Sequence, residues 1–280
     1  MTDGVGADEL PGWSERIDTT TAHPARRYNY WLGGKDNFAA DRESGEAIAR
    51  VYPAIRTTAL ENRYFLQRAV RFLAGEAGVR QFLDIGTGIP TADNTHEVAQ
   101  SVAPDSRIVY VDNDPIVLTH ARALLSSTPE GATAYIDADL RDPEDILADE
   151  SLRKTLDFNR PIALMLIAIV HFLFDEHKPY EVVRTLVDAL PSGSYVVMTH
   201  GTVDLSDPAA REFAEREIRA GRLKVDAVPR TKDEVAAFFT GLEIVEPGIV
   251  PVTAWRNPVP EEQRPPLVDT AIYGVVARVP

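Results

Sequence analysis

Cysteine is absent from the 280 residues. That excludes disulfides, thiolate metal sites and cysteine nucleophiles, and with them a disulfide-stapled secreted scaffold. Positive charge is scarce: 29 Lys and Arg stand against 43 Asp and Glu, a net charge of -14. No long Lys/Arg run is present, so the chain is poorly suited to non-specific nucleic-acid binding, and a small molecule is the better expected partner. Long apolar runs are missing too. The longest, Ile162–Val170, fits a buried strand but not a membrane span. The opening MTDGVGADELPGWSE lacks the basic flank and apolar run of a secretion signal, so the expected location is the cytoplasm.

What is present is an ordinary globular composition, 44% hydrophobic and 26% charged, long enough for one large domain with an appended helical segment. Residues 1–15 read as a disordered arm. Residues 16–78 read as an aromatic, Gly-Gly-containing arm followed by helices. Asp41 stands as a cap for DRESGEAIARVY, Pro53 breaks the pattern, and ALENRYFLQRAVRFLA places Leu60, Tyr64, Ala69, Phe72 and Leu73 near one face. From residue 79 onward, short apolar runs alternate with helical stretches. QFLDIG, RIVYVDND, ATAYIDADL, PIALMLIAIVHFL and SYVVMTHGT are the strands; 91–102, 115–126, 143–147 and 179–190 are the helices between them. This alternation predicts a parallel sheet covered by helices on both faces. Two further helices, at PAAREFAEREIRAG and 231–239, precede LEIVEPGIVPVTAW and TAIYGVVARV. These last two segments are expected to pair as a hairpin at the sheet edge, separated by the Pro-rich loop RNPVPEEQRPP.

In an open parallel sheet, ligands bind beyond the carboxyl ends of the strands. The first strand ends in Asp84-Ile85-Gly86-Thr87-Gly88, whose glycines permit close backbone approach to a ligand. The second ends in Asp112, placed to accept hydrogen bonds from two ribose hydroxyls. The third ends in Asp137-Ala138-Asp139-Leu140, where an acid and free backbone groups can read an adenine edge. Each acid could instead be a strand terminator or helix cap; three together at successive strand ends make the nucleotide-like reading the stronger one. The dinucleotide fingerprint G-x-G-x-x-G is not met, because Thr91 occupies the third glycine position. A carboxylate at Asp84 suits a ligand with a positive end better than a pyrophosphate.

DIGTG, YVDND and DADL resemble the cofactor-binding motifs of class I S-adenosylmethionine-dependent methyltransferases. ARRYNYWLGGKDNFAADR, NRYFLQRAVRFLA, FLDIGTGIPTADNTHEVAQ and IVYVDNDPIVLTHARALL together resemble, more narrowly, the actinobacterial S-adenosyl methyltransferase family, also called DUF574. The resemblance implies an α/β, Rossmann-like fold: a seven-stranded, mostly parallel sheet with an antiparallel last strand, plus an N-terminal helical segment. It implies S-adenosyl-L-methionine as cofactor and S-adenosyl-L-homocysteine as product. Gly86 and Gly88 would face the methionine part, Asp112 the ribose with Asn113 beside it, and Asp139 with Ala138 and Leu140 the adenine. It names no substrate.

Methyl transfer from a sulfonium chiefly requires alignment, with a general base where the acceptor is a hydroxyl or nitrogen. His171, at the end of PIALMLIAIVHFL, is the first candidate for base or acceptor contact, and His200 the second; packing on the cofactor and capping are their plainer alternatives. HFLFDEH carries no trusted metal motif, and no metal is expected. His96 and His120 fall in helices and read as structural. Gly33-Gly34-Lys35 fails as a phosphate loop, having Asn29 at the first glycine position and Asp36 after the lysine. Tyr28, Tyr30 and Trp31 are either a hydrophobic anchor or a lid. In the lid reading the arm turns at Gly33 and Gly34 and lays Tyr28, Asn29 and Tyr30 over the site. Arg63 offers a cation to the methionine carboxylate. The expected partner is a small-molecule methyl acceptor, with no nucleic acid and no membrane. The alternative functions are a non-catalytic cofactor-binding sensor and, disfavoured by the missing glycine, an NAD-dependent oxidoreductase. The acceptor, its reacting atom and the oligomeric state stay open.

Overall fold

The computed structural model describes residues 17–124, 126–221, 224 and 226–280, so the expected arm over residues 1–15 lies outside the described residues. Strands β1 (Gln81–Ile85), β2 (Arg107–Asp112), β3 (Ala132–Asp137), β4 (Ala163–Ile167) and β5 (Tyr195–Gly201) are parallel, in the order β3-β2-β1-β4-β5. Every residue of β1 is buried, as befits a central strand covered on both faces. Strand order reverses between β1 and β4, and that switch point opens a crevice at the carboxyl ends.

The C-terminal part differs from a simple edge hairpin. Strand β8 (Ile272–Arg278) inserts antiparallel beside β5, inside the sheet, and the outer edge is supplied by two short fragments, β6 (Glu243–Ile244) and β7 (Val250–Pro251). Both fragments pair with β8 and fill one edge position, so the sheet has seven strand positions, one of them antiparallel. LEIVEPGIVPVTAW does not run as a continuous strand because Val245–Ile249 loops out between its two halves.

The N-terminal segment folds as α1 (Pro24–Trp31), α2 (Ala39–Val51) and α3 (Ile55–Arg71). Asp41 sits inside the first turn of α2, not at its cap position. Its carboxylate accepts from Phe38 N and from His23 N, both at 2.8 Å, tying the start of α1 to the start of α2. Helix α3 buries Phe65, Leu66, Ala69 and Val70 on one sheet face. Phe65 packs edge-on against Trp255 and so close to Gly274 of β8 that a Cβ there would lie 2.6 Å from its ring. The opposite face holds the larger core of Leu83, Val109, Leu164 and Val196 with Leu186 and Phe239. Helix α4 begins at Thr95, later than expected, because Asn94 and Glu97 form a reciprocal cap and leave residues 91–94 as a turn. The remaining helices are α5 (Pro115–Leu124), α6 (Pro143–Ala148), α7 (Glu150–Thr155), α8 (Pro179–Asp188), α9 (Pro208–Arg219) and α10 (Lys232–Ala237). No helix among the described residues is long and apolar enough to cross a membrane.

Candidate active site

One cleft of about 610 Å³ opens at the carboxyl ends of β1 to β5 and is closed on its other side by α1 and α3. Its volume falls in the range of small-molecule and cofactor sites. It brings together Asp84, Gly86, Gly88, Asp112, Asn113, Ala138, Asp139 and Leu140 from the strand ends, Tyr28 and Arg63 from the helices, and His171.

The loop after β1 is drawn across the end of β2. Gly86 N and Thr87 N donate to Val111 O, and Gly88 N donates to Asp112 Oδ2 at 2.8 Å. Both glycines have positive φ, +73° and +69°. A Cβ on Gly86 would lie 2.5 Å from Ile169, whereas one on Gly88 would meet no atom within 4 Å. The Gly88 backbone is therefore open for close approach. Asp112 also accepts from Asp114 N at 2.9 Å through Oδ1. Burial pushes its carboxyl up to about 6, against the pull of those backbone donors. Each oxygen has taken one N–H and keeps acceptor capacity toward the cleft. Asp84 is likewise pushed up to about 6 by burial and accepts from Thr95 Oγ1 at 2.6 Å.

Asp139 behaves differently. Burial raises it, but Arg141 and Asn113 outweigh that and hold it down at about 2. Arg141 donates Nε and Nη2 to its two oxygens at 2.9 and 2.6 Å, and Asn113 Nδ2 donates at 2.7 Å. Asp139 thus fixes Asn113 and Arg141 at the rim, a pairing the isolated motif DADL does not announce.

Strand β4 ends earlier than the sequence pattern implies. Ala168 adopts φ +53°, its N–H held by Thr199 Oγ1 at 2.8 Å, and Val170–Phe172 forms a separate 3₁₀ turn. His171 projects from that turn. Burial, and then the positive charge around it, push it down to about 3, so the ring is neutral at physiological pH. His200 is fully buried and does not line the cleft. Its Nδ1 lies 2.9 Å from Gly201 O and its Nε2 3.1 Å from Arg230 Nη1; an N–H at Nδ1 satisfies both partners.

The stretch around the Gly-Gly pair divides. Tyr28 faces the cleft; its hydroxyl donates to Ala59 O at 2.8 Å and accepts from Asn62 Nδ2 at 2.9 Å. Asn29, Tyr30 and Gly33 are not among the cleft residues. Asn29 Oδ1 receives Asp36 N and Asn37 Nδ2, closing the turn after α1. Tyr30 donates to Glu46 Oε1 and lies under the Arg56 guanidinium. Gly33 turns the chain with φ +81°. The sequence pattern carries no signal for two further cations here, Arg26 and Arg27. Both are buried: Arg26 pairs with Asp114, and Arg27, which lines the cleft, pairs with Asp226. Among the described residues no group of three His, Asp or Glu could hold a metal, and His177 instead accepts from Phe174 N.

Residues 12–280 match the S-adenosyl methyltransferase family. A DUF574 family protein from Streptomyces avermitilis is 52% identical, over 95% of this chain and 100% of its own, with a TM-score of 0.88. A provisionally assigned methyltransferase from Thermobifida fusca is 42% identical, over 98% of this chain and 99% of its own, with a TM-score of 0.83. No functionally curated protein matches the chain. The chain belongs to the S-adenosyl methyltransferase family and is an S-adenosylmethionine-dependent methyltransferase.

Proposed function

We propose that the cleft binds S-adenosyl-L-methionine and that the protein transfers its methyl group to a small-molecule acceptor. The observation that carries this reading is Asp112, a buried carboxylate whose oxygens each hold one backbone N–H and retain capacity for a ribose diol. Asn113 and the backbone at Ala138 and Leu140 surround the adenine, with Asp139 holding Asn113 in place. Gly86 and Gly88 let the chain lie against the methionine part. Arg63, whose Nη2 donates to Ala92 O and Asp93 O, presents its cation to the carboxylate.

The bound cofactor supplies an activated methyl group and its own neutral leaving group, so the protein's work is alignment and exclusion of water. His171 contacts the acceptor. A ring held near 3 is a weak base, poorly matched to strong proton abstraction at neutral pH, but its lone pair can orient a donor on the acceptor. His200 packs edge-on against the His171 ring from within the sheet. Tyr28 and α1 close the side of the cleft opposite the strand ends. An acceptor of small-molecule size fits the cleft volume, and the acidity of the chain argues against a nucleic acid.

Thermal unfolding in the presence of candidate ligands tests the reading. S-adenosylmethionine and S-adenosylhomocysteine should each raise the midpoint, and NAD should not. Protection by NAD alone would overturn it.

A further inference from the structure

Asn62 lines the cleft and carries a buried polar atom without a partner. It is 1% exposed, on α3, and its Oδ1 has no hydrogen-bond partner among the described residues. A buried acceptor without a donor is costly, and native structures keep few of them without a use. The amide orientation follows from its neighbour. Tyr28 spends its hydroxyl proton on Ala59 O at 2.8 Å, so toward Asn62 it can only accept. Asn62 must then present Nδ2 to Tyr28, as it does at 2.9 Å, and Oδ1 is left as an acceptor with nothing to accept.

The surroundings define what would satisfy it. Ala59, Asn62, Arg63 and Leu66 form the stripe of α3 that faces the cleft, and Asp84 lines the same space from the end of β1. Arg63 follows Asn62 directly on α3, and Tyr28, Asn62, Arg63 and Asp84 all line this one cleft. The cleft wall thus carries two acceptors, Asn62 and Asp84, and one donor cation, Arg63. That is the complement of an α-amino acid zwitterion: ammonium on the acceptors, carboxylate on the arginine. We propose that Asn62, oriented by Tyr28, is the residue that recognises the α-ammonium group of the cofactor's methionine end. The inference rests on the cofactor reading above and adds a specificity-determining residue to it.

The test separates this role from a merely structural one. Isothermal titration would compare S-adenosylhomocysteine with its des-amino analogue, which keeps the carboxylate, the adenosine and the thioether. In the unaltered protein the homocysteine compound should bind at least about tenfold more tightly than the analogue. Asn62→Leu, close in shape but without the acceptor, should erase that ratio by weakening only the amino-bearing ligand. Tyr28→Phe, which frees the amide to rotate, should reduce the ratio and serves as the reading if Asn62→Leu does not fold. Equal loss for both ligands in these variants, or an unchanged ratio, overturns the proposal while leaving the cofactor reading intact. Failure of the unaltered protein to bind either ligand removes the cofactor reading, and this inference with it.

Discussion

Arg26 grips Asp114 across 88 residues of sequence, Nε to Oδ2 at 2.8 Å and Nη2 to Oδ1 at 3.0 Å, with both side chains buried. Asp114 also receives Ile116 N at the start of α5, and its own N–H is one of the two that hold Asp112. Helix α1 is thus bolted to the loop that carries the ribose candidate. The same helix places Tyr28 on the cleft wall, so the arm and the strand ends are one assembly.

Breaking that fork should be costly. Arg26→Leu removes the guanidinium from a buried Asp114, leaving it only His23 Nδ1 at 3.2 Å and the Ile116 N–H, and should destabilise the protein by about 3–5 kcal/mol. Urea unfolding followed by circular dichroism measures it. A loss below about 1 kcal/mol would mean that water reaches Asp114 as soon as the arginine is removed.

The turn after α1 should matter for stability alone. A Cβ on Gly34 would lie 2.3 Å from the Asn29 amide, and that amide holds Asp36 and Asn37. Gly34→Ala should cost about 1–3 kcal/mol in unfolding free energy, with S-adenosylhomocysteine affinity changed by less than about twofold. A large affinity loss would return Asn29 and Gly33 to the binding site.

At the loop after β1, stability and binding should fall together. Gly86 combines φ +73° with the 2.5 Å approach to Ile169, so Gly86→Ala must displace Ile169, the loop or both. Differential scanning calorimetry should show a lower midpoint, and titration a cofactor affinity reduced by about tenfold or more.

Cofactor affinity should also depend on pH with a definite sign. Burial raises Asp112 from its ordinary 3.8 to about 6. In the free protein, folding therefore takes up a proton between those values. Its contribution to stability is greatest at low pH and is lost as pH rises through 6. Binding runs the other way, because the ionised carboxylate is the better acceptor for two hydroxyls. Affinity for S-adenosylhomocysteine should fall by about tenfold from pH 7.5 to pH 5. Asp112→Asn should flatten that profile, leaving only the share from Asp84, which shifts in the same direction. A profile unchanged by Asp112→Asn would place the titration elsewhere.

The sheet was legible because its signals are local: apolar runs of strand length, each closed by an acid or glycine, alternating with helical periodicity. Asp84, Asp112 and Asp139 could be read for the same reason, since parallel strands bring their carboxyl ends to one edge. What escaped depends on partners distant in sequence. Arg26 and Arg27 look like surface charges until Asp114 and Asp226 are placed against them. Tyr28, Asn29 and Tyr30 are neighbours in sequence, yet a helix points them in different directions, one to the cleft and two to the α1–α2 packing. His171 lines the cleft, but its apolar run concealed the break at Ala168 that sets the turn it stands on. Asn62 left no mark in the sequence at all. The role proposed for it rests on a hydrogen bond that Tyr28 makes elsewhere.

The most direct measurement is a calorimetric titration of S-adenosylhomocysteine into the unaltered protein and into Asp112→Ala. The unaltered protein should bind one equivalent in the micromolar range, and the variant should lose about two orders of magnitude in affinity with its fold intact by circular dichroism. No heat of binding at millimolar ligand in the unaltered protein, or full affinity in Asp112→Ala, would contradict the assignment of this cleft.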